Sequence, residues 1–537
     1  MSASERAAAP EPAEAQAREA TGVGALTVMT DAAARLRHWA AVQPQSPLLL
    51  TGGHEYGYAD VLRRAEAVAT GIRRAGCARG ARVALFLDEY DEFFVAMLGA
   101  WLAGGVVIPL NTSLPASAVT WLVEKAAPAA VVVAASGACP ALRGCELVVT
   151  RDAEGMVSGV TSTELAVGEN DPAGHAAGDD VWAHTQGDEL AMIMFTSGTT
   201  GVPKGACQTA WAVAANAGYV AQELGVGADD RIFVNTPPYF TSGICHFLTL
   251  LAGGGSIAGH LGFYFGAGLL DEMARLGCSG FGGAPAHLVR VVEPLEEPQA
   301  HELRFWVSSG DHLPVAVIEK FARVLPGVRL YNMYGLTEVS GRLCIMPPEE
   351  LARRVGSVGR PIADMTVIPR HSDGCAVAPG ESGELYVAGS LLMREYLDAA
   401  EVTAAALGGH GFRTGDFGSV DADGFVWVEG RNDDIIKRGG EKVSTVQVQQ
   451  ALQGLGRFAD VAVLAVPDDL AGHVPVAFVV PLDPATFKPS KVLRELRAVL
   501  PPSALPSRVL SVPAIPRTGS GKAQRRELLA LLAEELG

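Results

Sequence analysis

The sequence predicts an α/β protein: a large N-terminal domain of layered βαβ sheets with a small β-barrel-like subdomain, then a small α+β C-terminal domain. Three observations carry this. The chain has 537 residues, too many for a single ordinary core. Strand and helix signals alternate through its first two-thirds. The pattern changes near residue 361 and again after Gly430.

Residues 1–21 are rich in Ala, Glu and Pro without an apolar stretch, and are expected to form a disordered tail, neither signal peptide nor anchor. Residues 82–87 predict a buried strand, 92–103 a helix, 106–110 a strand, 115–124 a helix and 129–134 a strand. That rhythm predicts a mostly parallel sheet covered by helices. From 151 to 188 the chain turns polar and Gly-rich, and a surface connection is expected. Strands are then expected at 190–195, 231–235, 303–308 and 328–331. Between 361 and 429, short strands spaced by Gly, Asp and Pro predict a small antiparallel barrel or sheet. In the last part, 443–452 and 491–500 predict helices, and 461–466 and 476–480 strands. The expected boundaries are 1–21 for the tail, 22–432 for the N-terminal domain and 433–537 for the C-terminal domain.

Composition narrows the partners. Hydrophobic residues at 49% and charged residues at 19% suit a globular chain with a large core. Acidic groups outnumber basic ones, 59 to 42, for a formal charge of −17. A nucleic-acid binder carries a basic face, and a polybasic anchor needs the same sign, so neither is expected. No membrane span is expected either, since no apolar run approaches the ~20 residues it needs; residues 100–108 come nearest and are broken by Gly104 and Gly105. The eight cysteines, Cys77, Cys139, Cys145, Cys207, Cys245, Cys278, Cys344 and Cys375, form no Cys-x-x-Cys pair. Reduced thiols in a cytoplasmic protein are expected, without a structural zinc site.

The strongest local signal is Phe195-Thr196-Ser197-Gly198-Thr199-Thr200-Gly201-Val202-Pro203-Lys204-Gly205, placed after an apolar strand and before a helical stretch. Its glycines let backbone N–H groups converge, its hydroxyls add donors and Lys204 adds charge, which together suit a polyphosphate. It is not a Walker A loop, because Gly205 follows the lysine, and ATP hydrolysis through a P-loop is disfavoured. Further strings follow in order. They are Tyr331-Asn332-Met333-Tyr334-Gly335-Leu336-Thr337-Glu338, Gly383-Glu384-Leu385-Tyr386-Val387 and Arg413-Thr414-Gly415-Asp416, then Gly430-Arg431-Asn432-Asp433-Asp434-Ile435-Ile436-Lys437 and Pro516-Arg517-Thr518-Gly519-Ser520-Gly521-Lys522.

In these motifs and their order the chain resembles the adenylate-forming superfamily of acyl-CoA synthetases, nonribosomal-peptide adenylation domains and luciferases. The resemblance covers nearly everything after the tail. It implies ATP and Mg²⁺, with Thr196, Ser197, Gly198, Thr199, Thr200, Gly201 and Lys204 on the phosphates. Glu338 would hold Mg²⁺, a hard ion that takes oxygen ligands and bridges phosphates. Thr337 would donate to the α-phosphate, and Tyr334, Asn332, Met333, Gly335, Gly310, Asp311 and His312 would frame adenine. Asp416 and Arg431 would hold the ribose. Taken singly, each of these is as readily a cap, a turn or a solvated charge. Lys522 would bridge the acid and the α-phosphate, stabilising charge that peaks in the transition state. Asp433 would be the hinge on which the C-terminal domain turns between two half-reactions. That rotation would exchange Lys522 for a face made of Lys437, Arg438, Gly439, Gly440 and Lys442, where a pantetheine thiol arrives.

The acid side departs from the common pattern. Many relatives have an aromatic-His pair; here Phe240 follows Tyr239 where the histidine is expected. No Asp lies between Tyr239 and His246 to hold an ammonium, which disfavours a plain α-amino acid. Tyr239, Phe240, Thr241, Gly282, Gly283, Ser309 and Val339 are the expected pocket walls, with an aromatic patch at Phe263, Tyr264 and Phe265. Core packing is the alternative for that patch; as a pocket it favours a small aromatic or short-chain acid.

The expected activity is ATP-dependent formation of an acyl-AMP with release of pyrophosphate, then transfer to a thiol. The thiol would belong to coenzyme A or to a carrier protein's phosphopantetheine; no carrier domain follows Gly537, so a carrier would be a separate chain. Two alternatives stay open: an amine acceptor, as in an amide-forming ligase, or a diazotase that adenylates nitrite. A non-catalytic nucleotide sensor is disfavoured by the presence of both Lys522 and Glu338.

Overall fold

A computed structural model describes residues 31–134, 139, 146–162, 184–196, 203–259, 267–311, 313–431, 435–438, 441–468, 472–517 and 523–536. Three sheets organise them.

The first has eight strands. Leu190–Thr196, Val106–Pro109, Arg82–Phe86, Ala130–Val133 and Glu146–Arg151 run parallel, as the buried apolar runs predict. Lys204–Thr209 folds back antiparallel on Leu190–Thr196, and the short Glu395–Tyr396 adds to its outer edge. At the far edge Val157–Ser162 pairs antiparallel with Glu146–Arg151. This corrects the expected surface connection from 151 to 188: its first part is an edge strand. Ser158, Gly159 and Thr161 masked the strand there, although Val157 is buried and Val160 packs on the core.

The second sheet has fourteen strands. Pro47–Thr51, Ser256–Gly259, Arg231–Val234, Gly280–Gly283, Phe305–Ser309 and Arg329–Tyr334 are parallel. Cys344–Met346 then reverses direction. Ser357–Pro361, Val426–Arg431, Gly411–Val420, Ser382–Ala388 and Thr366–Arg370 continue antiparallel. The expected small antiparallel unit is thus hydrogen-bonded onto the parallel sheet.

Helices fill the space between these sheets. Tyr58–Arg74 buries Val61, Ala65, Val68, Ala69 and Ile72, the stripe of an amphipathic helix. Tyr90–Leu102 is buried on every side. A Cβ at its Gly99 would lie 2.6 Å from Val68, so these two helices pack too closely for a larger residue. Phe94 stacks on Phe247 of Thr241–Gly253 with ring centroids 4.1 Å apart, locking helices of the two layers together.

The third sheet is built on a long hairpin of Phe458–Asp468 and Gly472–Pro481, with Arg508–Ser511 parallel at one side and Ile435–Arg438 and Glu441–Ser444 beyond. The helix expected from 443 starts at Thr445, because Ser444 ends a strand and caps it by accepting from the Gln447 N–H. The other helix expected there spans Pro489–Leu496. Among the described residues no helix is long and apolar enough to cross a membrane, and no disulfide joins two described cysteines.

Candidate functional site

The hairpin Leu190–Thr196/Lys204–Thr209 brings the two ends of the predicted phosphate loop together: Thr196 sits opposite Lys204, and its Oγ1 donates to the Lys204 carbonyl at 3.5 Å. Residues 197–201 lie outside the described residues. Tyr396 stands opposite Ala206 on the added edge strand, which puts its ring 5.5 Å from the Lys204 ammonium.

The Tyr396 hydroxyl donates to Oε1 of Glu338 at 2.8 Å. Glu338 belongs to a single 3₁₀ turn, Thr337–Val339, that follows the strand Arg329–Tyr334. Two glycines close this turn. A Cβ at Gly335 would fall 1.9 Å from the Gly341 carbonyl oxygen, and Gly341 has φ +130° with the Cys245 sulfur against it. The backbone is pinned from outside as well. Gln208 donates to the Thr337 carbonyl, Met393 N–H to the Glu338 carbonyl at 2.7 Å, and Asn216 Nδ2 to the Val339 carbonyl at 3.2 Å. Oε2 of Glu338 has no partner among the described residues, where no group of three His, Cys, Asp or Glu side chains could cage a metal. A single oriented carboxylate suits Mg²⁺, which binds through one or two carboxylates and keeps water and phosphate for the rest.

Thr337 Oγ1 lies 3.4 Å from Thr241 Oγ1, joining this turn to the start of the acid-side helix Thr241–Gly253. Behind it Tyr334 donates its hydroxyl to Asp416, which is paired in register with Arg431. Asn332 is buried and donates to the Ser357 carbonyl at 3.4 Å; Met333 is buried in the core. Gly310 takes φ +99° where the chain leaves Phe305–Ser309, and the exposed Asp311 follows it.

On the acid side Tyr239 and Phe240 meet edge to face at 4.9 Å, just before the helix. Gly282 and Ser309 turn toward that helix layer, whereas Gly283 faces Phe281 and His287 on the opposite side of the sheet. Val339 is fully buried beside the turn. His312, Phe263, Tyr264, Phe265, Asp433, Gly439, Gly440 and Lys522 lie outside the described residues. Arg438 is tied within the C-terminal part, donating to the Ser503 and Leu505 carbonyls at 2.9 and 2.6 Å. Arg517 of the last motif is paired with Asp460 at 2.5 Å. Burial works against its charge, but Asp460, and secondarily Asp311, raise its pKa above the ordinary arginine value.

A family profile for the AMP-binding enzyme matches residues 36–397, and one for the AMP-binding enzyme C-terminal domain matches residues 447–522. The chain belongs to the AMP-binding enzyme family. Among its relatives in that family is a feruloyl-CoA synthase of Amycolatopsis, 29% identical over 91% of this chain and 96% of that one. An indoleacetate–CoA ligase of Aromatoleum aromaticum is 28% identical over 93% and 97%. A long-chain-fatty-acid–CoA ligase of Mycobacterium tuberculosis is 28% identical over 90% and 93%. Among solved structures, ATP-bound MatB from Rhodopseudomonas palustris superposes with TM-score 0.80 at 25% identity, covering 94% of this chain and all of that one. An o-succinylbenzoate-CoA synthetase from Bacillus subtilis, with ATP and magnesium, superposes with TM-score 0.79 at 23% identity over 92% and 99%, and shows the shared fold.

In this AMP-binding enzyme Lys204 and Thr241 are joined to the Thr337–Glu338 turn, Lys204 by way of Tyr396, whereas Gly283, Arg438 and Arg517 lie away from it. Tyr396 and Gln208 were not legible in advance: each is an isolated polar residue in an apolar or loop context, and only the strand pairing puts it at the site.

Proposed function

We propose that this enzyme activates a small carboxylic acid, aromatic or short-chain, as its acyl-adenylate and transfers the acyl group to the thiol of coenzyme A. The observation that carries this reading is the chain of contacts Lys204–Tyr396–Glu338, joined through the same turn to the Thr337–Thr241 pair at the acid side.

In the first step an acid oxygen attacks the α-phosphorus of ATP. A P–O bond forms to the acid as the bond to the β-phosphate's bridging oxygen breaks, and pyrophosphate leaves. Lys204 and the backbone of 196–201 hold the departing phosphates. Glu338 would hold Mg²⁺, which would supply charge neutralisation on those phosphates. Thr337 donates to the α-phosphate. Asn332, Met333, Tyr334, Gly335, Gly310, Asp311 and His312 frame the adenine, and Asp416, oriented by Tyr334, accepts from the ribose beside Arg431. Lys522 stabilises the charge between acid and phosphorus. In the second step the thiol loses its proton and sulfur attacks the acyl carbon, expelling AMP with the C–O bonding electrons. Asp433 is the hinge for this step, and Lys437, Gly439, Gly440 and Lys442 border the thiol's path, with Arg438 fixing their strand from behind. The thioester-forming names of several relatives support coenzyme A as acceptor; a carrier-protein thiol would present the same atom.

Acid-dependent ATP–pyrophosphate exchange tests the first step. Exchange that appears only with an organic acid, and is lost in Lys522→Ala, supports the reading. Exchange with nitrite alone would replace it with a diazotase, and exchange unaffected by Lys522→Ala would remove the role given to that lysine.

A further inference from the structure

Beyond the site residues, the acid side holds a buried cation without an acidic partner among the described residues. Arg342 follows the Glu338 turn and is 6% exposed. Its backbone is clamped by Asn216, whose Oδ1 accepts from the Arg342 N–H at 3.2 Å and whose Nδ2 donates to its carbonyl at 2.7 Å. Its guanidinium reaches the imidazole of His246, Nη2 to Nε2 3.4 Å. His246 in turn fills the place of a missing side chain at Gly282: a Cβ there would sit 2.5 Å from the ring.

These neighbours are neutral. Burial, then the nearby Arg342, push His246 well below its ordinary pKa, so the imidazole is uncharged at neutral pH. Burial pushes the adjacent Cys245 thiol up, which keeps it protonated. No Asp or Glu among the described residues forms an ion pair with Arg342. Burial also works against the guanidinium's own charge, yet arginine stays protonated in proteins. Arginine is almost never fully buried without a partner, and an anion brought by a ligand would supply the one that the described residues lack.

The position says which molecule brings it. His246 lies on the helix that starts at Thr241, whose hydroxyl meets Thr337. The helix carries His246 about 7.5 Å further along its axis than Thr241, at 1.5 Å per residue. On the sheet, the Ser309 hydroxyl is buried without a partner among the described residues. We propose that Arg342, backed by His246, is the counter-charge for a second anionic group on the acid, so that the preferred substrate is a short dicarboxylate or another acid with a distal carboxylate or sulfonate. This rests on the adenylation reading and names the substrate class within it. The separation from Thr241 fits acids on the scale of succinate, glutarate or isophthalate.

The test compares wild type with Arg342→Met. Acid-dependent pyrophosphate release is measured for succinate, glutarate and isophthalate against butyrate, valerate and benzoate, and the free proteins are melted in parallel. The wild type is expected to favour a dianion over its monoanionic match by roughly 10- to 100-fold in kcat/KM, the value of a charged hydrogen-bonded contact. Arg342→Met should bring that ratio near one. The free variant should melt no lower than wild type, because an unpaired buried charge has been removed. A wild-type preference for monoanions, a ratio unmoved by the substitution, or a variant that melts several degrees lower would each overturn the proposal. Failure of the adenylation reading has a different signature: no acid of either set releases pyrophosphate. The melting shift caused by each acid in the presence of AMP then decides the anion site. A shift by dianions that Arg342→Met lacks supports it, and equal shifts in both proteins overturn it.

Discussion

Tyr396 sets the direction of Glu338 through one hydrogen bond of 2.8 Å, and so sets where a metal can sit. Removing the hydroxyl leaves the carboxylate in place but free to turn. Tyr396→Phe is expected to raise the Mg²⁺ concentration needed for half-maximal pyrophosphate release by roughly 10-fold, within the range seen when a group orienting a metal ligand is lost. An unchanged Mg²⁺ titration would break the link between the two residues. A second expectation concerns His287, where burial, helped by Arg290, holds the imidazole down at about 4 against an ordinary 6.5. The folded state resists the proton that the unfolded chain takes up below pH 6.5. Stability is therefore intact above that pH and falls as pH drops toward 4, by about 3 kcal/mol in all. His287→Gln should flatten this part of a denaturation-versus-pH curve, and an unaltered slope would place the loss elsewhere. At this scale the pairing of Thr196 with Lys204 and the contact of Tyr334 with Asp416 fall within strings visible in the sequence, because those strings are dense in glycine, hydroxyl and charge. Arg342, Gln208 and Tyr396 were not legible, because their neighbours come from distant strands and helices.

The element that matters most is the turn from Gly335 to Gly341. It carries Thr337 and Glu338, and it closes only because neither end has a side chain. Gly335→Ala would drive a methyl into the Gly341 carbonyl at 1.9 Å, so the turn must open. The expected result is a loss of about 2–4 kcal/mol in stability, as for other strained or overpacked positions, together with loss of acid-dependent pyrophosphate release. Normal activity and melting would mean that the turn is more pliant than its packing indicates. Parallel strands such as Arg82–Phe86 and Ala130–Val133 were legible as continuous apolar runs. The edge strand Val157–Ser162 was missed because Val157 and Val160 are its only apolar side chains and are not spaced at a strand's period of two. The expected helix at 443 began late because a strand and a cap compete for the same residues.

Across the whole molecule, the proposed mechanism divides the two half-reactions between two faces of the C-terminal part. Arg517, shortly before Lys522, lies close enough to Asp311 for that carboxylate to act on its charge. Lys522→Ala should reduce adenylate formation by a factor of 100 or more, roughly the effect of removing one preorganised charge, while a supplied acyl-adenylate still reacts with coenzyme A. Asp433→Pro should do the reverse and slow thiol attack more than adenylation. Equal loss of both steps in either folded variant would contradict a rotating domain. The division of the chain into an α/β body and an α+β end was legible from length and from the change of pattern after Gly430. The continuity of the antiparallel strands with the parallel sheet was not, since it depends on the pairing of Cys344–Met346 with its neighbours.

One measurement bears on all of this most directly: the products formed from MgATP, coenzyme A and an acid that supports pyrophosphate exchange, quantified by mass spectrometry. The account predicts AMP, pyrophosphate and the acyl-CoA thioester in equal amounts. AMP and pyrophosphate without thioester would contradict the thiol acceptor, and ADP with phosphate in place of AMP with pyrophosphate would contradict adenylation itself.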